Sequence, residues 1–165
     1  MEEVALRLEE PLFPSIADVA VLSVDVNDKA VRIEGRRTVA GAICPGCGGW
    51  SRRLHSSCLR FPADVPSGGR RFALCLSVRR FLCPVTSCGR RTFAEQLPGF
   101  TRRYGRRTER LWSTLAAVGL ALTGRAGARL ASCFGASVSR GTVLWLVDAL
   151  PEPEVQTPRV VGVDE

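Results

Sequence analysis

Four cysteines in two short pairs are the residues of this sequence best suited to binding a metal. Cys44 and Cys47 stand in "ICPGCGG", and Cys83 and Cys88 stand in "LCPVTSCGRR", with 35 residues between the pairs. A tetrahedral ion takes its ligands from two directions, and a short loop at the end of a strand can supply two of them. Because four thiolates close the coordination shell of zinc, the pattern predicts a structural Zn²⁺ ion whose binding contributes to folding.

The other cysteines and the only histidine allow further interpretations. We expect Cys75 and Cys133 to be small buried residues of a strand and of a helix. His55 and Cys58, in "HSSC", could supply a ligand to a rearranged metal site or form a nucleophilic Cys–His pair. Four cysteines already complete a site, and no third group is evident to orient such a pair. We therefore expect His55 to contact phosphate or to pack against its neighbours.

The basic charge is concentrated in the middle of the chain. Arginine accounts for 22 of the 23 basic residues, and positions 52–107 hold 13 arginines against two acidic residues. A basic block between near-neutral ends is typical of a protein that binds a polyanion, and a solvated charged face is the simpler alternative. The candidate phosphate contacts are the arginine pairs beside the cysteines and around Tyr104: Arg79, Arg80, Arg90, Arg91, Arg102, Arg103, Arg106 and Arg107.

The arginine pairs around Tyr104 lie in the stretch "TRRYGRRTER". A flexible arm of this composition could grip phosphates or enter a minor groove, as the basic arms of other helical DNA-binding proteins do. The chain has only three tryptophans and one tyrosine. Because single-strand binding depends on aromatic stacking, this composition favours double-stranded DNA as the partner.

Apolar periodicity predicts the strands that would position the cysteines. Alternating β-branched residues indicate a hairpin over 19–37, and a second alternating strand over 70–83 runs directly into the second cysteine pair. Between the two cysteine pairs, proline and glycine in "FPADVPSGG" predict a loop over 61–69. The first 100 residues therefore read as a small β domain.

Beyond Gly99 the apolar spacing becomes helical. The pattern predicts one helix over 106–123 that Gly124 ends, a second helix over 125–134, and a third helix capped by Ser137 or Ser139. The residues predicted to face inward from these helices are Leu111, Leu115, Val118, Leu122, Leu130, Phe134, Val143, Leu144, Leu146 and Val147.

The last two predicted helices have the outline of a helix-turn-helix. In that arrangement the second helix lies in the major groove, and polar residues at its N-terminus reach the edges of the bases. Ser139, Arg140 and Thr142 would be those residues here. A plain helical bundle is the alternative interpretation.

The sequence also bears on the cellular location. The N-terminus, "MEEVALRLEE", is acidic and has no apolar core, so it is not a signal peptide. The longest apolar run, "LWSTLAAVGLALTG", is shorter than the roughly 20 residues that a membrane span requires. We expect a soluble, cytoplasmic protein without a membrane partner.

Residues 43–100 resemble the N-terminal part of bacterial insertion-sequence transposases of the ISL-three group. The matching pieces occur in order: "CPGCG", Ser51, "HS" at His55, Arg60, "DVPSGG", "VRRFLC" and "CGRRTFAE". The resemblance implies that the four cysteines form a zinc-binding domain and that the helix-turn-helix binds terminal inverted repeats. Two residues depart from the family pattern, because Cys58 replaces an aromatic residue and Trp145 replaces a basic one.

The closing "GVDE" falls where that family begins its catalytic domain. The resemblance implies that Asp164 is the first acid of a DDE triad on the first strand of an RNase H-like fold. Two-metal phosphoryl transfer needs several carboxylates around the ions. Because the other two acids would lie farther downstream, we expect Asp164 to be orphaned and this chain not to be an enzyme by itself.

These features together predict an α+β protein in three parts. A zinc-ribbon-like β domain occupies 1–100, a helix-turn-helix DNA-binding module occupies 101–150, and a linker with the first strand of the missing catalytic domain occupies 151–165. We expect the DNA-binding portion of a truncated transposase, whose partners are transposon ends and either a full-length transposase or a second copy of the chain. The alternatives are a standalone zinc-containing helix-turn-helix transcription regulator and a zinc-ribbon module that binds another protein.

Overall fold

The structure is a computed structural model that describes residues 18–152. Within this range the fold is mixed α+β, as predicted. It contains β1 (Val19–Val26), β2 (Ala30–Arg37), β3 (Ala42–Ile43), β4 (Trp50–Ser51), β5 (Leu54–Arg60), β6 (Arg71–Leu82), β7 (Thr92–Ala94), α1 (Glu109–Cys133) and α2 (Arg140–Asp148). The segments 1–17 and 153–165, with the predicted linker and Asp164, lie outside the described residues.

The main sheet is built around the long strand β6. Strands β1 and β2 form the predicted antiparallel hairpin, and Asn27 shapes its turn by accepting hydrogen bonds from the backbone N–H groups of Lys29 and Ala30. Strand β2 then pairs in parallel with β6, while β5 and β7 pair antiparallel with it. The predicted hairpin over 19–37 and the strand over 70–83 are therefore confirmed.

Strand β5 was not predicted from the sequence. Its residues, "LHSSCLR", are mostly exposed along an edge of the sheet, so they show no apolar alternation. Leu54 and Leu59 are more than half exposed. Pairing with β6 through the backbone, rather than burial of side chains, defines this strand.

The helical region consists of a kinked helix and a short helix packed against it. Within α1, Thr123 has φ 60° and ψ −175°, which separates the helical segments 109–122 and 124–133. The sequence placed this break one residue later, at Gly124. The start of α1 also differs from the prediction, because its N-cap is Thr108, whose hydroxyl accepts a hydrogen bond from the backbone N–H of Leu111 at 3.1 Å.

Helix α2 packs closely against α1 because glycines line the crossing. A Cβ atom at Gly119 would lie 2.7 Å from methyl groups of both Val143 and Val147. A Cβ atom at Gly124 would lie 2.8 Å from the side chain of Arg140. Glycine is therefore required at this crossing for the two helix backbones to approach so closely.

Three small apolar clusters stabilise the described residues. One lies on the main sheet around Ile33 and Leu74, one lies among the helices around Leu115 and Leu146, and one surrounds the buried ring of Phe81. The buried position predicted for Cys75 is confirmed. Within residues 18–152 the sheet, the helices and the cysteine hairpins each have a core of their own rather than sharing a single large one.

Several helical residues predicted to face inward are exposed. Leu122, Leu130 and Leu144 are each at least 40% exposed. Helix α1 is kinked and α2 has only nine residues, so each helix covers only part of the apolar surface of the other. The buried position predicted for Cys133 is wrong. This residue is the last of α1 and its side chain is exposed, so it does not contribute to the helical core.

The loop over 61–69 connects the sheet to the helices. The carboxylate of Asp64 is 1% exposed and accepts hydrogen bonds from the Thr108 hydroxyl at 2.6 Å, from the Val65 N–H at 2.8 Å and from the Arg110 guanidinium. The backbones of Ala63 and Thr108 also pair, with an N···O distance of 2.9 Å. Asp64 therefore bonds to both the N-cap and the first turn of α1.

Among residues 18–152, no helix combines the length and the apolar character that crossing a membrane requires.

Candidate metal centre and arginine groove

The two cysteine pairs lie in the loops of two adjacent hairpins. Cys44 follows β3, and the chain returns to β4 through a turn in which the Gly48 N–H donates to the Cys44 carbonyl at 2.9 Å. Gly48 has φ +73°, a left-handed conformation that favours glycine. Cys83 follows β6, and Cys88 precedes β7. Two short hairpins therefore present their loops to the same point.

The four sulfur atoms converge as the spacing of the cysteines predicts. The Sγ atoms of Cys44, Cys47, Cys83 and Cys88 all lie within 4.8 Å of one another, and those of Cys47 and Cys83 are 3.5 Å apart. Sulfurs bound tetrahedrally to zinc at 2.3 Å would lie about 3.8 Å apart. The observed cluster fits a metal ion of this kind, and the four cysteines are the residues that would hold it.

Two of these thiols have opposite proton affinities. Hydrogen bonds from the backbone N–H groups of Gly46 and Cys47, with contributions from neighbouring sulfurs, lower the pKa of Cys44 to about 7. Desolvation, together with the sulfurs of the other three cysteines, raises the pKa of Cys83 to about 12. A proton therefore favours Cys83 when no metal is bound, and the site must lose this proton before Cys83 can act as a thiolate ligand.

His55 and Cys58 are not part of the cysteine cluster. Both are exposed on β5, and His55 Nδ1 lies 3.1 Å from the hydroxyl of Ser56. The rearranged metal site that the sequence left open is therefore not formed in the structure. In the described structure no hydrogen bond joins His55 to Cys58, as a nucleophilic pair would require.

The side chain of Arg79 is paired with a buried carboxylate rather than exposed to solvent. The side chain of Glu95 is fully buried and accepts hydrogen bonds from the Arg79 Nε at 3.1 Å and from Nη2 at 2.7 Å. Arg79 Nη2 also donates to the carbonyl of Val39. The hydrogen bonds to Glu95 raise the pKa of Arg79, and protein acceptors occupy its Nε and Nη2 donors.

Other arginines converge on one groove beside the metal centre. The groove has a volume of about 300 Å³ and extends from Pro45 in the first cysteine loop to the segment that precedes α1. The basic residues that line it are Arg60, Arg80, Arg90, Arg102 and Arg103. We call this surface, which Tyr104 also lines, the arginine groove.

The arginine groove brings together four of the predicted phosphate contacts and adds Arg60. Sequence reasoning missed Arg60 because it stands alone in β5, away from the arginine pairs. Pairing of Arg60 with Leu76 in the middle of β6 places it on this surface. The remaining predicted contacts, Arg91, Arg106 and Arg107, do not line the groove, and Arg107 is partly buried.

The segment around Tyr104 is a folded loop rather than the flexible arm that we predicted. Thr101 and Thr108 form a backbone bridge, and the Gly105 N–H donates to the Arg102 carbonyl at 2.8 Å across a turn. The guanidinium of Arg102 lies 3.6 Å from the centroid of the Trp112 ring. These contacts fix the loop to the start of α1, so its arginines have defined positions.

The residues predicted to read bases lie at the exposed start of α2. Ser139 is the N-cap, and its hydroxyl accepts a hydrogen bond from the Thr142 N–H at 3.1 Å. Arg140 is exposed beside it, as is the side chain of Trp145, which is 59% exposed. The prediction of a serine cap is confirmed, with Ser139 rather than Ser137 in that role.

Comparison of the chain with models of protein families, with curated proteins and with solved structures gave no significant match.

Proposed function

We propose that this protein binds double-stranded DNA and that a structural zinc ion stabilises the binding surface. The observation that carries the proposal is the convergence of five arginines on a groove beside a four-cysteine cluster. Phosphates of the DNA backbone are the polyanion that such a groove suits, because arginine donates several hydrogen bonds to each phosphate and retains its charge. These contacts would set the position of the duplex without reading its sequence.

Zinc is the metal that the cysteine cluster favours. Four thiolates are soft ligands, and a closed tetrahedral shell leaves no position for a substrate. When bound, zinc supplies folding free energy rather than catalysis. The ion would connect the loop that contains Pro45 to the loop that contains Arg90, and both residues line the arginine groove. We propose no catalytic step for this chain.

The helical region would supply the sequence recognition. We propose that segment 124–133 and α2 act as a helix-turn-helix, with Arg140 at the exposed start of α2 directed towards the base edges. The hydroxyls of Ser139 and Thr142 lie 3.0 Å apart and stabilise the start of this helix. They would contribute mainly by holding the helix N-terminus in position.

The resemblance to insertion-sequence transposases supports a specific target. We propose that the duplex recognised by the protein is the terminal inverted repeat of such an element, bound by the chain alone, by two copies or beside a full-length transposase. This part of the proposal depends on the matched pieces of residues 43–100. The phosphate contacts depend only on the arginine groove.

The first test measures metal content and DNA affinity together. Purified protein should contain one zinc per chain, and its affinity for a mixed-sequence duplex should fall steeply as salt rises, with a logarithmic slope of about −4.5 if the five groove arginines contact phosphates. Chelation should abolish the binding. Zinc without salt-sensitive binding would overturn the proposal and would favour a protein partner instead.

Variants then locate the binding surface. Replacing both Arg80 and Arg90 with alanine should weaken binding by about tenfold or more and reduce the salt slope by about 2. The double replacement of Arg32 and Arg36 with alanine is the matched control, because both residues are exposed on β2 and neither lines the groove. Equal losses in both variants would show that the arginine groove has no special role.

Selection of binding sites from a pool of randomised duplexes tests the target. Enriched sequences that occur at the ends of insertion elements would support the transposon-end proposal. Enriched sequences that occur singly in promoters would contradict it and would favour the transcription regulator. Variants of Arg140 should relax the selected sequence, whereas variants of Arg90 should weaken binding to all sequences equally.

A further inference from the structure

Tyr104 has a backbone conformation that is unusual for a tyrosine. Its φ is 61°. Among the described residues, Thr123 is the only other residue besides glycines with a positive φ. A side chain is costly in this region because Cβ approaches the following carbonyl oxygen, so glycine is the usual choice. Gly105 follows directly, yet the tyrosine occupies the position that a glycine would fill without cost.

The surrounding loop fixes this conformation. A Cβ atom at Gly105 would lie 2.9 Å from the Arg102 carbonyl oxygen, so the turn over 102–105 leaves no space for a side chain there. The Arg103 guanidinium lies 4.7 Å from the centroid of the Tyr104 ring and donates a hydrogen bond to its hydroxyl at 2.8 Å. One face of the ring is therefore covered by a cation.

The conformation of Tyr104 does not serve the packing of the core. The residue is 70% exposed and belongs to none of the three apolar clusters. It lines the arginine groove together with Arg102 and Arg103. A strained residue that buries nothing and is held in place by its neighbours is typical of a binding site.

We propose that Tyr104 stacks on a nucleobase that has left the base stack of a bound DNA duplex. The inference depends on the proposed function, because the arginine groove must first hold the phosphates next to that base. Every base offers an aromatic face, and a guanidinium on the opposite side of the tyrosine ring adds to the binding of nucleic acid. In a fully paired duplex both faces of each internal base are covered, so the preferred ligand is DNA with an unpaired base.

The test compares two duplexes that carry the same number of phosphates. One is fully paired, and the other contains an abasic site opposite one base, which frees that base from pairing. Wild-type protein should bind the second duplex about tenfold more tightly, the gain expected from stacking one base. Because the phosphate charges are equal, this ratio isolates the contribution of the unpaired base.

Two substitutions at the same position separate stacking from folding. Tyr104→Gly removes the ring and also relieves the positive φ, so the loop should fold at least as well, and the tenfold preference should disappear. Tyr104→Phe keeps the ring and should retain most of the preference. Thermal unfolding of both variants gives the control for folding.

Photochemical crosslinking gives a direct readout. With 5-iodouracil as the unpaired base, irradiation should join the DNA to residue 104 of the wild-type protein, as identified by mass spectrometry. A crosslink to another residue, or a preference that persists in Tyr104→Gly, would overturn the inference. Equal binding of both duplexes would also overturn it and leave the proposed function standing, whereas no binding of either duplex would remove the proposed function itself.

Discussion

Arg79 and Arg80 are neighbours in β6 and have opposite surroundings. Successive side chains of a strand point to opposite faces, so one member of the pair reaches the buried carboxylate of Glu95 while the other lines the arginine groove. Arg80 is exposed and donates to the hydroxyl of Thr92 at 2.9 Å. Of this arginine pair, Arg79 therefore neutralises a buried carboxylate, and only Arg80 contributes to the groove surface.

We predict that alanine substitutions of the two residues have distinct effects. Arg79→Ala leaves the Glu95 carboxylate buried without its cation and should lower the free energy of unfolding by about 3 kcal/mol. Arg80→Ala should leave stability unchanged within about 0.5 kcal/mol and weaken DNA binding. Urea unfolding and DNA titration of both variants check this. A similar loss of stability in both would contradict the assigned roles.

The cysteine thiols would make the binding of a metal ion at this cluster depend on pH. Zinc requires thiolates, so any thiol that is protonated in the metal-free protein must release its proton on binding. With a pKa of about 12, Cys83 releases a proton throughout the neutral range. With a pKa of about 7, Cys44 releases one only at a pH below that value.

We therefore predict that zinc affinity falls more steeply with decreasing pH below about pH 7, by an additional factor of up to about ten per pH unit. Competition with a chromophoric chelator between about pH 6 and pH 8 measures the slope. Cys133→Ser is the control, because Cys133 is exposed and lies outside the cluster. A slope that stays constant through pH 7 would contradict the low pKa of Cys44.

At the scale of elements, α2 depends on glycines of its partner helix. Gly119 allows the side chains of Val143 and Val147 to contact the backbone of α1. Gly141, in the first turn of α2, is exposed, and the nearest atom to a Cβ there would be 3.9 Å away. The same substitution should therefore have opposite effects at the two positions.

We predict that Gly119→Ala lowers the free energy of unfolding by up to about 2 kcal/mol. Overpacking against two valines costs about 1–3 kcal/mol, and the roughly 1 kcal/mol gained from replacing glycine inside a helix offsets part of this cost. Gly141→Ala should gain up to about 1 kcal/mol, since nothing obstructs the added methyl group. Chemical denaturation of both variants measures their free energies of unfolding. Equal changes in the two variants would rule out the close contact of Gly119 with Val143 and Val147.

The elements that the sequence predicted and those it did not differ in physical character. The β1–β2 hairpin and β6 have strong apolar alternation, so local pattern was sufficient to find them. Strand β5, by contrast, is specified by backbone pairing to β6. Such long-range contacts leave no periodic signal in their own segment.

At the scale of the molecule, the relative position of the sheet and the helices depends on Asp64. Its carboxylate accepts from the N-cap residue Thr108, from the first-turn residue Arg110 and from the adjacent backbone. Sequence reasoning treated this aspartate only as one of two acids in a basic block. Its role depends on Thr108, 44 residues away, and no local pattern identifies such a partner.

We predict that Asp64→Asn lowers the free energy of unfolding by about 2 kcal/mol. The substitution keeps the shape of the side chain but replaces a buried charged acceptor with a group that turns a donor towards other donors. Asp28→Asn is the matched control, because Asp28 is exposed in the turn between β1 and β2. Thermal unfolding compares the two, and an unchanged midpoint for Asp64→Asn would contradict the assigned contact.

The convergence of the four cysteines could be predicted from the sequence, although the two pairs lie far apart in it. Two short loops with paired thiols have few uses other than a shared ion, so the residue types compensate for the separation in sequence. The arginine groove could not be predicted in this way, because surface arginines do not have to meet at one point and their residue type does not show which of them lie together. Arg60 and Arg80 came together only through the pairing of β5 with β6.

Parallel pairing of β2 with β6 joins residues that are 41 positions apart, as between Ala30 and Arg71. Closing so long a loop costs chain entropy before the sheet gains any contacts, which slows folding. A metal ion shared by the two cysteine pairs closes a loop of similar length, and it does so through a few strong bonds. Refolding followed by stopped-flow fluorescence should therefore be faster with zinc than with chelator, and the ion would determine the order in which the chain assembles as well as its final stability.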